Sequence, residues 1–224
     1  MTGIIIQARC GSTRLPGKIL KVIHDRTLLD HILDRLKERK EKAVVVIATS
    51  TLPGDDAVEA FCRERGVLCF RGSESNVLSR YYECATQQGF DHIVRLTADN
   101  PFVDVEEVDR LIAYHIACGN EFTESFSRLP IGVGAEIFSY AALKEDRERA
   151  SMPHHFEHVD EYVLENRDRF RTGTLQVAAD KNRPEVRLTV DTQADYEKAC
   201  YIAAHSKTGL PTTQEAIALC SQYA

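Results

Sequence analysis

Residues 3–18 read Gly-Ile-Ile-Ile-Gln-Ala-Arg-Cys-Gly-Ser-Thr-Arg-Leu-Pro-Gly-Lys, a short apolar run that passes directly into a polar loop. The apolar part, Gly3 to Ala8, has the length and the β-branched content of a strand buried in a parallel sheet. In α/β sheets, functional groups gather beyond the carboxyl ends of the strands. This stretch therefore predicts a first strand of an α/β sheet and marks the loop after it as a candidate binding site.

Helix and strand patterns alternate through the first half of the chain. Apolar residues at helical spacing predict helices over residues 27–40, 55–65, 77–88 and 105–118. Apolar runs predict further strands at residues 43–48, 67–70 and 91–96. This alternation is typical of an α/β fold whose central sheet is mostly parallel and is covered by helices on both faces.

The second half of the chain has a less regular pattern. It predicts strands at 121–127, 135–139, 174–178 and 186–190, a helix at 155–166, and two closing helices. Repeats and linker-like segments are not evident in the sequence. We therefore predict one domain over residues 1–224, with residues 121–180 as a candidate lobe for acceptor binding or dimerisation.

Composition narrows the class of protein. The 224 residues carry a net charge of −6, with 43% hydrophobic and 28% charged residues, as in ordinary globular domains. An acidic balance argues against a nucleic-acid partner, and no apolar run approaches the roughly 18 residues that span a bilayer. The start of the chain lacks the features of a secretory signal, and the 7 scattered cysteines lack metal or disulfide spacing. We expect a cytoplasmic protein without a membrane partner and with reduced thiols.

The loop after the first strand carries the side chains that a polyphosphate requires. It contains the cations Arg9, Arg14 and Lys18, the hydroxyl of Ser12, and Gly11, which lets backbone N–H groups approach an oxyanion. Arginine clamps phosphate oxygens with its planar fork, and lysine acts as a point charge. The loop matches neither the Walker A nor the dinucleotide glycine motif. The alternative is a solvated basic turn.

Two aspartates follow apolar runs in similar surroundings. Asp99 ends Arg-Leu-Thr-Ala-Asp, and Asp191 ends Arg-Leu-Thr-Val-Asp. Carboxylates at strand ends suit Mg²⁺, which takes one or two of them and fills its shell with phosphate oxygens and water. From the local pattern alone, Asp191 fits equally well as a cap of the helix that begins near Asp195.

Three motifs begin at Ile5, Leu96 and Leu188 and read, in that order, Ile-Ile-Gln-Ala-Arg-x-Gly-Ser-Thr-Arg-Leu-Pro-Gly-Lys, Leu-Thr-Ala-Asp-x-Pro and Leu-Thr-Val-Asp-Thr-x-x-Asp. They resemble the motifs of SpsF-type (spore coat polysaccharide biosynthesis) cytidylyltransferases. That family lies within the superfamily of CMP-sialic acid and CMP-Kdo synthetases. The resemblance extends from Gly3 to about Glu197. It implies a GT-A-like, Rossmannoid nucleotidyltransferase fold. It also implies Mg²⁺-dependent transfer of CMP from CTP to a sugar acid of the nonulosonic type or to a phosphorylated acceptor. Release of pyrophosphate, a role in surface glycan biosynthesis and a homodimer are further implications.

The resemblance also assigns site residues. It implies that Arg14, Lys18, Asp99 and Asp191 are catalytic, the two aspartates as Mg²⁺ ligands. The nucleotide-binding positions it implies are Gln7, Ala8, Arg9, Gly11, Ser12, Arg14, Lys18, Thr49, Ser73, Asn76, Arg80, Thr97 and Asp99. The acceptor-binding positions it implies are Gly134, Glu136, Glu157 and His158.

Several of these positions have simpler interpretations. Residues 72–80 resemble the family motif Gly-Ser-Glu-x-Asp-Val-Leu-x-Arg, but Asn76 stands where that motif usually has Asp. A plain helix cap explains Asn76. Arg80 fits a surface ion pair, and the glycines around Gly134 fit a turn. His154 and His158 have i, i+4 spacing, but without the H-E-x-x-H order or an evident third ligand we predict no zinc site.

Two other functions remain open at this point. A GT-A glycosyltransferase normally carries a D-x-D-like metal motif, which Thr97-Ala98-Asp99 does not supply. A nucleotide-binding domain without turnover is disfavoured because Asp99 and Asp191 are both present.

Overall fold

A seven-stranded sheet forms the centre of the protein in a computed structural model that describes residues 1–223. The strand order is β5-β4-β1-β6-β8-β7-β9, and a separate two-stranded ribbon pairs β2 with β3. The strands are β1 (Thr2–Gln7), β2 (Val22–Ile23), β3 (Arg26–Thr27), β4 (Val44–Ser50), β5 (Leu68–Gly72), β6 (His92–Thr97), β7 (Phe122–Glu124), β8 (Glu136–Ser139) and β9 (Thr172–Thr174). The pairs β1·β4, β1·β6, β4·β5 and β7·β9 are parallel, whereas β8 runs antiparallel to β6 and β7. The predicted mostly parallel α/β sheet is confirmed.

The helices connect these strands. They are α1 (Leu28–Leu36), α2 (Asp56–Arg65), α3 (Val77–Gln88), α4 (Val105–Cys118), α5 (Tyr140–Arg149), α6 (Pro153–Glu157), α7 (Glu161–Glu165), α8 (Gln193–His205) and α9 (Thr213–Cys220). Side chains cap several amino ends, including Thr27 at α1, Asn76 at α3 and Asp104 at α4. Gly89 and Gly119 end α3 and α4 in the left-handed conformation that glycine adopts without strain. None of the helices in residues 1–223 is both long enough and apolar enough to cross a bilayer.

Both faces of the sheet are buried. Successive side chains of a strand point to opposite faces, so Ile4 and Ile6 join one apolar cluster and Ile5 joins the other. The first cluster contains residues of α1, α2 and α4, and the second contains residues of α3, α5 and α7. The continuous apolar run in β1 therefore reflects a strand covered by helices on both sides.

A third apolar cluster lies beyond the carboxyl ends of the central strands. It joins Leu15 of the polar loop, Phe102, Leu188 and Val190 to the inner faces of α8 and α9. The cluster packs the amino-terminal loop against the carboxyl-terminal part of the chain. It thereby positions the residues on either side of Val190.

The structure corrects several predicted boundaries in the second half. The predicted helix at 155–166 is two short helices, because the chain leaves the helical conformation at His158 and buries Val159 in the second cluster. The predicted strand at 186–190 is extended but forms only one bridge, between Ile131 and Arg187, since its neighbour is a loop. The strand predicted at 174–178 lies at Thr172–Thr174, where its partner β7 is only three residues long.

One helix and one strand are shorter than predicted. The helix predicted at 27–40 ends at Leu36, and the side chain of Arg39 then donates to the carbonyls of Leu36 and Ala43. The strand predicted at 121–127 ends at Glu124, because the chain turns there and the Glu124 carboxylate accepts from the N–H of Ser127. In both cases a side chain satisfies backbone groups that the regular element would otherwise use.

One carboxyl group of α5 is buried on the side of the sheet that the second apolar cluster covers, without a hydrogen bond among residues 1–223. Asp146 of α5 is fully buried, and neither carboxylate oxygen has a hydrogen-bond partner among residues 1–223. Burial, together with repulsion from Asp160, raises the pKa of Asp146 to about 8. The folded protein therefore holds this proton at pH values where an exposed carboxyl has lost it.

We predict that Asp146→Asn removes a pH-dependent loss of stability. The unfolded carboxyl ionises near pH 4, whereas the folded one stays protonated up to its pKa of about 8. The wild-type free energy of unfolding therefore falls as pH rises between these values. In urea unfolding, the variant and wild type should have the same free energy of unfolding at pH 4. At pH 8 the free energy of unfolding of the variant should be higher by at least about 1 kcal/mol. Exposed Asp168→Asn is the control, and an Asp146→Asn effect of equal size at both pH values would contradict the prediction.

Candidate active site

A cavity of about 490 Å³ opens beyond the carboxyl ends of β1 and β6. This is the edge at which α/β sheets place their ligands. Most of its lining comes from the loop after β1 and from the end of β6. The lining residues are Gln7, Ala8, Arg9, Gly11, Ser12, Thr13, Arg14, Lys18, Ile19, Arg80, Arg95, Thr97, Ala98, Asp99, Glu157, His158 and Asp191.

The loop after β1 is held in place by hydrogen bonds at both ends. The Cys10 N–H donates to the buried carboxylate of Asp55 at 2.7 Å, and the Cys10 carbonyl accepts from the N–H of Gly17 at 3.0 Å. Gly17 has a φ of +66°, which reverses the chain before a short 3₁₀ turn over Lys18–Leu20. This reversal directs the Lys18 side chain back under the loop and into the cavity wall.

The Lys18 ammonium joins three distant oxygens. Its Nζ lies 2.9 Å from Asp99 Oδ2, 2.9 Å from Asp191 Oδ1 and 2.8 Å from the carbonyl oxygen of Val190. An ammonium has three protons to donate, so all of its hydrogen-bonding capacity is used. Because only 10% of the side chain is exposed, this charge is paired inside the protein rather than in water.

Each aspartate is fixed by the segment that carries it. Asp99 accepts from the Thr97 hydroxyl at 2.6 Å, and its backbone carbonyl accepts from the N–H of Val190 at 2.9 Å. Asp191 does not cap α8; Thr192 is the cap, in a reciprocal box with Asp195. The carboxylate of Asp191 is therefore free to face the cavity.

Three cations surround Asp191. Besides Lys18, the guanidinium of Arg14 lies 3.0 Å from Oδ1, and that of Arg187 lies 2.5 Å from Oδ2. Burial alone would raise the pKa of Asp191, but the hydrogen bond and charge of Lys18, with help from Arg187 and Arg14, bring it below its usual value. Asp191 is therefore an anion throughout the physiological pH range.

The two aspartates present the donor atoms that a hard divalent cation prefers. Both carboxylates lie within hydrogen-bond distance of one small cationic group, so their oxygens converge on a common point. Mg²⁺ binds through one or two such carboxylates and completes its shell with phosphate oxygens and water. Asp99 and Asp191 thus fit a Mg²⁺ site at the cavity wall.

The histidine cluster near α6 has a different character. Ligand atoms of His154, His155 and Glu165 lie within 4.8 Å of one another, whereas His158 lines the cavity instead. Nδ1 of His155 accepts from two backbone N–H groups at 3.3 Å, so its proton sits on Nε2 and is donated to Glu165 at 2.9 Å. No nitrogen lone pair of His155 is then available to a metal, and the cluster serves as a hydrogen-bonded brace between α6 and α7.

A second cavity of about 200 Å³ adjoins the first and shares Arg95 and Thr97 with it. Its other lining residues are Leu96, Asn100, Phe126, Gly132, Gly134, Glu136 and Asp160. Two of the four predicted acceptor residues, Gly134 and Glu136, lie here, and the other two, Glu157 and His158, line the first cavity. The structure thus divides the predicted acceptor set between two adjoining spaces.

A buried ion-pair group forms the floor of the second cavity. Arg95 pairs with Glu136 and, at 3.4 Å, with Asp160. Burial raises the pKa of Glu136 to about 7, against the opposing effect of Arg95. Gly134 is required by close packing rather than by flexibility, since a Cβ there would lie 2.6 Å from the backbone of Phe126.

Some predicted nucleotide positions do not line either cavity. Thr49 is fully buried at the end of β4, and its hydroxyl has no partner within the described residues. Asn76 caps α3 by accepting from the Ser79 N–H at 2.8 Å, and its own N–H donates to the Ser73 hydroxyl at 3.1 Å. Thr49 points into the core, and Ser73 and Asn76 form the start of a helix.

Arg80 does reach the cavity, and its charge is not neutralised. The side chain is almost fully buried and donates from Nη1 to the Ser73 carbonyl at 2.8 Å. No carboxylate pairs with it in residues 1–223, and its Nε lacks a partner there. Burial lowers the pKa of Arg80, as expected for a cation without a counter-ion. The ion-pair interpretation of Arg80 is therefore not supported.

Sequence reasoning missed four residues that shape the site: Asp55, Arg95, Asp160 and Arg187. Arg95 had a visible signal, because it interrupts the apolar run of β6 with a charge. Arg187 carried a weaker one as the cation four residues before Asp191. Nothing local distinguishes Asp55 or Asp160 from other acidic residues, since their roles arise from contacts with Cys10 and Arg95 far along the chain.

Comparison with known proteins is consistent with this site. The sequence pattern that defines the cytidylyltransferase family matches residues 3–217. The chain is 36% identical over 217 residues to the spore coat polysaccharide biosynthesis protein SpsF of Bacillus subtilis (strain 168), covering 94% of this chain and 90% of that protein. The structure of a cytidylyltransferase from Leptospira borgpetersenii serovar Hardjo-bovis (strain JB197) matches with a TM-score of 0.92 and 33% identity, over 99% of this chain and 94% of that chain.

A more distant structure shows how widely the fold is shared. A CMP:2-keto-3-deoxy-manno-octonic acid synthetase complexed with CTP has a TM-score of 0.68 at 21% identity, over 91% of this chain and 98% of that chain. The family match contains the cationic loop and both convergent aspartates. The resemblance inferred from these motifs is confirmed, and this chain belongs to the cytidylyltransferase family of nucleotidyltransferase enzymes.

Proposed function

We propose that the protein transfers CMP from CTP to a sugar acid of the nonulosonic type or to a phosphorylated sugar, with Mg²⁺ as cofactor and release of pyrophosphate. The observation that carries the proposal is the convergence of Asp99 and Asp191 on Lys18, beneath a cationic loop at the edge of the sheet. The name of SpsF places that relative in polysaccharide biosynthesis, and we extend the same setting to this chain. Family membership as an enzyme sets aside the glycosyltransferase and non-catalytic interpretations.

The loop after β1 is suited to the triphosphate. Arg9 and Arg14 keep 42% and 64% of their side-chain surface exposed, so their guanidinium groups can turn toward an incoming anion. Backbone N–H groups near Gly11 and the Ser12 hydroxyl add neutral donors on the same wall. These groups would hold the β- and γ-phosphates and fix the position of the α-phosphate.

The reaction is an in-line displacement at the α-phosphorus. An acceptor oxygen forms a bond to phosphorus while the bond to the bridging oxygen breaks, and pyrophosphate leaves with the electron pair. When the acceptor is a hydroxyl group, its proton is released to solvent. Arg14 and Lys18 stabilise the charge that develops on this leaving group. Asp99 and Asp191 are the residues that would hold Mg²⁺, which supplies charge neutralisation at the α-phosphate when bound.

The second cavity is our proposed acceptor site. It has a volume of about 200 Å³ and meets the first cavity at Arg95 and Thr97. The carboxylates of Glu136 and Asp160 are acceptors for sugar hydroxyl groups. Both residues, with Glu157 and His158, come from the segment 121–180, which supports our proposal that this segment is the acceptor lobe.

We predict that Asp99→Asn and Asp191→Asn each lower kcat by at least about 100-fold. Each change removes one of the two anions that hold the cation and the Lys18 ammonium. The measurement is pyrophosphate release with CTP, Mg²⁺ and a panel of sugar acids and sugar phosphates. Replacing CTP with UTP or ATP in the same assay tests the preference for the base. Asp168→Asn, on the surface, should keep wild-type activity. Absence of CTP binding and of pyrophosphate release with every acceptor would refute the proposed function.

We also predict that Glu136→Gln acts on the acceptor alone. Loss of the charged hydrogen-bond acceptor should raise KM for the acceptor about tenfold and leave KM for CTP unchanged. Initial rates with each substrate varied in turn provide the measurement, and exposed Glu83→Gln is the matched control. An equal rise of both KM values would show that the second cavity is not a separate acceptor site.

A further inference from the structure

The Lys18 ammonium occupies the position on which the two metal-binding carboxylates converge. It contacts Asp99 and Asp191 at 2.9 Å each, and its third proton goes to the Val190 carbonyl at 2.8 Å. The side chain is 90% buried, and no phosphate or other anion is needed to complete its hydrogen bonds. In this structure, Lys18 is therefore bound to the carboxylates rather than presented to solvent.

This arrangement balances charge without a metal ion. Two neighbouring carboxylates repel each other, and the ammonium between them removes that repulsion. Arg14 and Arg187 add two further positive charges around Asp191. A divalent cation that approaches this pair meets two carboxylates that three positive side chains already surround.

Entry of a metal alone would also leave the Lys18 ammonium without its two carboxylate partners. A buried ammonium that loses its carboxylates carries a large desolvation penalty unless another anion takes their place. Within residues 1–223, the carboxylates that pair with Lys18 are Asp99 and Asp191 themselves. The replacement anion must therefore come from a ligand, and a triphosphate supplies oxygens of the right charge for both Lys18 and Arg14.

We propose that Lys18 keeps the Asp99–Asp191 pair closed to divalent cations until a nucleotide triphosphate draws its ammonium away, so that metal and nucleotide enter the site together. The proposal rests on the proposed function, because it takes these aspartates as the metal ligands. Each ligand lowers the free-energy cost of binding the other, which is positive coupling in the thermodynamic sense. Lys18 thus has two partners in turn: the carboxylates before binding and the phosphates after it.

The test is binding of Mn²⁺ to the protein without nucleotide, monitored by loss of the free-ion EPR signal. Wild type should bind weakly, whereas Lys18→Met should bind at least about tenfold more tightly, because Asp99 then lacks a paired cation and Asp191 keeps only the two arginines. The double variant Lys18→Met/Asp99→Asn should return to weak binding, which assigns the gain to this site. Lys21→Met is the matched control, since Lys21 is three residues away and lies over the ring of Tyr196.

A second variant keeps the test possible if Lys18→Met does not fold. Lys18→Gln is neutral but keeps a side-chain donor for the carboxylates. Circular dichroism establishes that each variant is folded. If Lys18→Met does not fold, the Mn²⁺ affinity of wild type is compared with that of Lys18→Gln. Equal Mn²⁺ affinity in wild type and the folded Lys18 variant would overturn the proposal while leaving the proposed function intact. Failure of every protein to bind Mn²⁺, with or without α,β-methylene-CTP, would overturn both, because the metal site itself would be wrong.

Discussion

A single buried ammonium ion holds together parts of the chain that are far apart in sequence. Lys18 contacts Asp99, 81 residues away, and Asp191, 173 residues away, and both contacts are 2.9 Å long. The free energy of such a group is favourable only when its charge is paired, because an isolated charge in the interior is strongly destabilising. The loop after β1, the end of β6 and the segment before α8 are therefore fixed relative to one another by one side chain.

The sheet makes this meeting point possible. β1 lies next to β6 in parallel register, so the loops that follow them emerge at the same edge. Asp191 arrives by another route, through an extended segment that packs in the third apolar cluster and bonds to the backbone of Asp99. Packing of Leu188 and Val190 thus determines where the second carboxylate lies, and the ion pair then locks it there.

The two cavities differ in charge although they share a wall. The larger one is lined by a cationic loop and by the unneutralised Arg80, which favours a polyanion. In the smaller one Arg95 is paired with Glu136 and Asp160, so its surface offers hydrogen-bond acceptors rather than free positive charge. Although the protein has a net charge of −6, the loop after β1 brings Arg9, Arg14 and Lys18 together on one wall of the larger cavity.

The sequence by itself determined the alternating elements of the first half, the cationic loop after β1 and the strand-end position of Asp99. These features depend on local periodicity and on short-range turn chemistry, which a sequence displays directly. Only the tertiary structure decided that Lys18 bridges the aspartates, that Arg95 pairs with Glu136 and Asp160, and that the segment predicted as one helix at 155–166 is broken at His158. Those outcomes depend on contacts between distant residues, on burial of Val159 and on the neutralisation of buried charge, for which the local pattern carries no signal.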